Sequence, residues 1–340
     1  MIKNLLLKAL VKGLNLWIAK HKSKHRFLIV TTTALGDTLW ATPAIESLRK
    51  SFPDSYIGVL TSKIGEQILR HNPHINQIFL LERSLLLVKR LYDQNFDTVL
   101  VFHTSQRIVL PLISCLGATQ IIGTEGINKG LDDLFTKTLS KKHEHEIVRR
   151  LRVVEAVGAK ATTQTLSFYL NQEELLPSKA SYWIALHPGS KDGFKRWPFF
   201  AELGKKIKEK IPCEILITGT KEERPLMEEI AAQIPGAVLD DPNGSLRSFA
   251  ARLNQTHLIV TNDTGPLHLA CALKRPVLGI YCSTDPLLCG PHLAKEALAI
   301  AKRPTCTPCL KRKCLEPFCF QQIGIDEVFE VVQKHYYNKL

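Results

Sequence analysis

Four short segments gather side chains that can hold charge or bind hydroxyls and phosphates. In residues 31–38 (TTTALGDT), Gly36 allows a tight turn and Asp37 places a carboxylate at an expected helix start, or else simply caps that helix. In residues 187–198 (HPGSKDGFKRWP), Ser190, Lys191, Lys195 and Arg196 join glycines in a plausible diphosphate cradle of backbone N–H groups, a hydroxyl and cations. The same composition also suits an ordinary basic surface loop. Pro198 fits the first turn of a following helix, and the Walker A spacing is absent. In residues 261–268 (TNDTGPLH), Asn262, Asp263 and Thr264 crowd hydrogen-bonding groups where sugar hydroxyls or phosphates would be met. Capping by Asp263 or Thr264, with His268 in a core, is the competing reading. A weaker signal is the Gly219–Glu222 turn, whose acid could meet ribose hydroxyls.

Each segment follows a short apolar run, and the elements around them must do the positioning. Strands are expected at 27–32, 56–60, 77–81, 98–102 and 120–123, alternating with helices at 43–51, 65–71, 85–94 and 107–116. A second series of strands is expected at 183–187, 214–218, 237–239, 258–261, 276–281 and 297–301, with a last helix at 326–337. The polar, proline-containing stretch 171–180 reads as the joint between two doubly wound α/β halves. Facing open sheets would set their strand C-termini on either side of one cleft. The first strand lacks G-x-G-x-x-G, which argues against a dinucleotide oxidoreductase.

The chain has 340 residues, enough for two cores, and a formal net charge of +13, which favours acidic partners. Its basic residues are dispersed, without zinc-finger spacing or an aromatic RNA-binding signature, so nucleic acid is not the expected partner. Nine cysteines, five of them scattered, suggest reduced thiols in a cytoplasm. The other four, Cys306, Cys309, Cys314 and Cys319, form a C-terminal cluster that also permits zinc or an iron–sulfur group, although the spacing is irregular for a zinc ribbon. Residues 1–26 carry seven Lys or Arg and no acid. On a helical wheel Asn4, Lys8, Lys12 and Asn15 form a narrow polar stripe opposite Leu5, Leu6, Leu10 and Leu16. Such a helix suits an anionic membrane surface or packing on the protein's own body.

Four stretches together resemble the lipopolysaccharide heptosyltransferase family. They are TALGDTLWATPAIESLRKSFP at 33–53, HEHEIVRRLRVVEAVGA at 143–159, HPGSKDGFKRWP at 187–198 and TNDTGPLHLACALKRPVLGIYCSTDP at 261–286. The cysteine stretch from Cys306 is similar to that of the second-heptose branch. The resemblance implies a GT-B fold: two Rossmann-like domains facing across a cleft, with a C-terminal helix crossing back. The expected division is a leader at 1–25, an acceptor domain at 26–172, an ADP-sugar domain at 173–322 and the helix at 323–340. It implies inverting transfer from ADP-heptose to a Kdo- or heptose-terminated core, at the inner face of the inner membrane. Asp37 falls on the catalytic base and Lys195 on the phosphate-binding cation, with Ser190 and Lys191 beside it. Asp263, Thr264, Gly265 and His268 fall on the donor motif, Glu222 near the ribose acid, and Thr33 and Gly36 beside Asp37 on the acceptor side. No tightly bound metal is implied, and magnesium is not required. Alternatives are a GT-B enzyme using another nucleotide sugar, an epimerase of similar architecture, or a non-catalytic basic protein of the membrane surface.

Overall fold

A computed structural model describes residues 2–16, 18–21, 24–104, 106–282, 284–291, 294, 296–302 and 318–338. The chain divides into two compact units, Met1–Tyr169 and Leu170–Leu340, a few residues before the expected joint.

The first unit contains strands β1 (Arg26–Thr31), β2 (Tyr56–Thr61), β3 (Gln77–Leu80), β4 (Thr98–His103), β5 (Gln120–Thr124) and β6 (Lys137–Leu139). Its helices are α1 (Ile2–Asn15), α2 (Leu35–Leu39), α3 (Thr42–Ser51), α4 (Lys63–Leu69), α5 (Leu85–Tyr92), α6 (Val109–Ser114) and α7 (Glu146–Glu155). All six strands are parallel, in the order β3-β2-β1-β4-β5-β6. Helices on both faces bury the central strands, which explains near-continuous runs such as FLIV and VLVF in place of an alternating pattern. Gly58 in β2 is required by packing: a Cβ there would meet the Phe96 ring at 2.6 Å. The short edge strand β6 has no apolar run and was not expected from the sequence.

The second unit repeats the plan. Its strands are β7 (Trp183–His187), β8 (Glu214–Ile217), β9 (Val238–Leu239), β10 (Leu258–Asn262), β11 (Val277–Tyr281) and β12 (Ala297–Ala301). Its helices are α8 (Phe200–Lys210), α9 (Arg224–Ala231), α10 (Leu246–Asn254), α11 (Gly265–Ala272), α12 (Pro286–Cys289) and α13 (Ile325–Tyr337). The order β12-β11-β10-β7-β8-β9 is that of the first sheet read from its other edge. In the linker, Asn171 and Glu174 close a capping box, and the Glu174 carboxylate also grips the buried Arg247 guanidinium of α10. Helix α13 packs on α8, burying Val328 and Val332 and pairing Lys206 with Asp326, so it joins the core of the second unit.

The leader helix α1 packs on the protein's own body through buried Val11 and through polar contacts, leaving most of its leucines outside. Asn4 donates to the Lys129 carbonyl at 2.9 Å and Lys8 pairs with Asp133, while Leu5, Leu6 and Leu10 face outward. No helix among the described residues is long and apolar enough to cross a membrane.

Candidate functional site

Both sheets reverse strand order at one point, between β1 and β4 and between β7 and β10. Ligands of open α/β sheets bind outside the strand C-termini at such points. The expected residues Thr33, Gly36 and Asp37 follow β1, Ser190, Lys191 and Lys195 follow β7, and Asp263, Thr264, Gly265 and His268 follow or begin at the end of β10.

In the first unit, Asp37 sits on the third residue of α2, whose N-cap is Ala34 without a side-chain cap bond. The capping reading of Asp37 is thereby removed. Gly36 is itself helical and is not among the glycines with positive φ, so the expected tight turn is not what places it there. Asp37 Oδ1 accepts from Nη2 of Arg150 at 3.0 Å. Arg150 is wholly buried on α7; its Nη1 donates to Glu146 Oε2 at 2.5 Å and to the Glu146 carbonyl at 2.8 Å, and its guanidinium carbon lies 5.5 Å from the Trp40 ring centre. His145 caps this helix by accepting from the Ile147 N–H, so α7 carries the arginine at a fixed height against the sheet.

A register shift between Val30 and Thr31 brings Thr31 level with His103 at the end of β4. Burial lowers the His103 pKa while the Asp37 carboxylate pulls it up, and its Nδ1 has no hydrogen-bond partner among the described residues. Burial, followed by the Arg150 charge, likewise lowers Arg149. The Thr33 hydroxyl is buried and unpartnered among the described residues, while its carbonyl accepts from Ser62.

In the second unit the two loops are tied together by Asn262. Its Oδ1 accepts from the Trp197 N–H at 3.0 Å, and its Nδ2 donates to the carbonyls of Pro188 at 2.8 Å and Gly189 at 3.3 Å. That bracket holds the basic loop against the end of β10. Lys195 Nζ then reaches Asp263 Oδ2 at 2.8 Å, and the Thr284 hydroxyl donates to the same carboxylate. Ser190 is buried and its carbonyl accepts twice from Arg196, whereas Lys191 is exposed. Thr264 is the N-cap of α11 but makes no side-chain cap bond; its hydroxyl instead meets Thr261 Oγ1 at 3.2 Å. Gly265 supplies the first N–H of α11; Pro266 has none, and the Leu267 N–H donates to the Thr264 carbonyl at 3.2 Å. His268 is buried on the same helix.

Glu222 is exposed, while Glu223 is turned inward. A Cβ on Gly189 would fall 2.3 Å from the Glu223 carboxyl carbon, and Arg196 stands 3.8 Å from that carboxylate. Glu223 partly offsets the burial that lowers His187 to a pKa of about 4, and His187 Nδ1 lies 3.0 Å from Thr218 Oγ1. Burial, then the Asp263 charge, pushes the Tyr281 phenol far above its usual range.

Sequence reasoning missed Arg150, Glu146, His103, Glu223 and Thr284, and it read Asn262 as a ligand contact where the structure uses it to bracket the basic loop. The i, i+4 spacing of Glu146 and Arg150 was a readable signal for one helical ion pair. Nothing local pointed Arg150 at Asp37, 113 residues away. Of the four C-terminal cysteines, Cys306, Cys309 and Cys314 lie outside the described residues; Cys319 is half-buried against the core of the second unit.

The model of Glycosyltransferase family 9 (heptosyltransferase) matches residues 85–319, more than half of the chain. Lipopolysaccharide heptosyltransferase 3 of Escherichia coli is 26% identical over 286 residues, covering 75% of this chain and 82% of its own. Among solved structures, a family 9 glycosyltransferase from Veillonella parvula superposes with a TM-score of 0.77 at 20% identity, covering 94% of this chain and 99% of that one. The E. coli heptosyltransferase WaaC with ADP gives 0.75 at 19% identity, covering 91% and 99%. At these identities the structural likeness is one of fold, that of GT-B enzymes.

Proposed function

The chain belongs to glycosyltransferase family 9, the heptosyltransferases, and from that premise we propose that it transfers heptose from ADP-L-glycero-D-manno-heptose to the lipopolysaccharide inner core with inversion at the anomeric carbon. The observation that carries the proposal is a pair of charges, each fixed by an ion pair at a topological switch point: Asp37 held by Arg150 and Lys195 held by Asp263. ADP enters the reading because the similar WaaC structure was solved with ADP.

An inverting transfer needs a base on the incoming oxygen and a counter-charge for the leaving diphosphate. Asp37 serves as the base: Arg150 engages Oδ1 and, among the described residues, no hydrogen bond reaches Oδ2, which is open to accept the acceptor hydroxyl's proton. The hydroxyl oxygen then bonds to the anomeric carbon as the bond from that carbon to the diphosphate oxygen breaks, and the electron pair leaves on ADP. Lys195 offsets that charge. An ammonium has three N–H donors, so one can remain on Asp263 while the others meet phosphate.

Ser190, Lys191 and the amides opening α11 at Thr264 and Gly265 complete the phosphate cradle, with Asp263 and His268 toward the sugar. Glu222 remains the ribose acid in this reading. Thr33 and Gly36 line the acceptor side. No tightly bound metal is needed, so chelation should leave turnover unchanged. The acceptor is a Kdo- or heptose-terminated lipid A core, nearest the second-heptose branch, and the protein works as a peripheral enzyme at the cytoplasmic face of the inner membrane.

The test is to offer ADP-heptose and other nucleotide sugars with Kdo-lipid A, with and without a first heptose, and to follow nucleotide release and product mass. Heptose-dependent product on one of the two acceptors fits the proposal. Turnover with a different nucleotide sugar alone would retain the glycosyl transfer and discard the donor.

A further inference from the structure

A helix packed on a globular body normally buries its apolar stripe. Helix α1 does this only in part. Asn4 on the Lys129 carbonyl and Lys8 on Asp133 are clamped to the protein, and of its described apolar side chains only Val11 is buried in the core, with Leu7 half-buried beside it. Leu5, Leu6 and Leu10 remain 70%, 65% and 60% exposed, and Leu85 and Leu86 at the start of α5 are 89% and 61% exposed. The two sets meet at Leu10 and Leu85. Leu10, Leu14, Leu85 and Ile108 all line one groove of about 550 Å³ that runs between α1, α5 and α6. Leucines scattered singly on a surface need no explanation, but a contiguous face of them implies a cover.

The charge around that face selects the cover. Residues 1–26 contain seven cations and no acid, and the whole chain carries +13. Lys12 is exposed on α1, and Arg83 and Arg90 are exposed at and just beyond the start of α5. Of the nearby acids, Asp133 and Asp93 are each already paired with a lysine, and Glu82 adjoins Arg83. Two copies packed face to face would bring like charges together. Anionic headgroups would complement the cations while the leucines enter the acyl boundary.

We propose that α1 and the first turn of α5 form a bilayer-docking face, on which α1 lies with Leu5, Leu6 and Leu10 outward in an anionic leaflet and with Asn4 and Lys8 fixed to the protein. This identifies the surface that carries the membrane setting proposed above, and it rests on that setting for its biological purpose.

The experiment is co-sedimentation of the full chain with vesicles rich in phosphatidylglycerol and with vesicles of phosphatidylcholine alone. Transfer to a truncated, water-soluble acceptor is measured in parallel. The wild type should bind the anionic vesicles and bind the neutral ones more weakly. The triple variant Leu5→Ser, Leu6→Ser, Leu10→Ser should lose at least about tenfold in partitioning while soluble-acceptor transfer stays unchanged. Should that variant melt below the wild type, Leu86→Ser supplies the same reading from α5 with α1 intact, and weaker vesicle binding is again expected. No vesicle binding by the wild type, undiminished binding by folded variants, or a concentration-dependent dimer that the triple variant abolishes would each overturn the docking face. Vesicle binding without sugar transfer would leave the face standing and remove the proposed activity.

Discussion

The two switch points use one topology to hold opposite charges. In the first unit the proposed base is the carboxylate Asp37, and a cation from a distant helix, the wholly buried Arg150, fixes it. In the second unit the proposed counter-charge is the ammonium Lys195, and an anion from the neighbouring strand end, Asp263, fixes it. Sheet order supplies only the place, since both sheets run through the same permutation. The loop residues decide the chemistry, and the partner of each charge decides its geometry. Arg150 presents a rigid fork shared between Asp37 and Glu146, so the carboxylate is held in orientation as well as position. Lys195 is a point charge with donors to spare, suited to following a phosphate as it leaves.

Breaking the first charge should cost most. Asp37→Asn keeps the shape of the side chain and removes the base, and kcat should fall about a hundred- to ten-thousandfold, while ADP affinity by calorimetry stays at the wild-type value. Lys195→Ala should lower kcat about a hundred- to a thousandfold and weaken ADP binding as well. The comparison therefore predicts that nucleotide affinity separates the two variants. Arg150→Lys retains a cation but loses the fork, so kcat should fall roughly ten- to a hundredfold with the donor KM unchanged. An altered donor KM would mean that the arginine does more than position Asp37.

The smallest effect concerns stability. Burial depresses His187 from 6.5 to about 4, so the unfolded chain takes up a proton before the folded one does. The stability contributed by neutral His187 is complete above pH 6.5 and is lost as the pH falls toward 4. His187→Gln should flatten that part of the Tm–pH curve relative to wild type, and an unaltered slope would show that other groups carry it.

Much of this molecule was legible from its sequence because parallel sheets buried on both faces leave apolar runs with sharp ends. Strands 183–187 and 297–301 match their expected bounds, and most others differ by a residue or two. The edge strand β6 was not legible, since an edge of three residues needs no apolar run. Loop chemistry at strand ends was visible as crowding of Gly, Ser, Asp and Lys. What fixes those loops was not: Asn262 holds the basic loop from 65 residues away, and Arg150 meets Asp37 from 113. The wheel of α1 put Asn4, Lys8 and Lys12 on one stripe, but a wheel does not say which side faces the protein, and here the contacts with residues 129–133 hold Asn4 and Lys8 and leave Lys12 exposed.

The central claim is that Asp37 removes the proton during a single inverting displacement. The most direct test is transfer from ADP-heptose to a core acceptor by wild type and Asp37→Asn, with the anomeric configuration of the product read by NMR. A product of opposite anomeric configuration to the donor is expected, formed by the wild type and almost absent with the folded variant. Retained configuration, or undiminished turnover by Asp37→Asn, would contradict it.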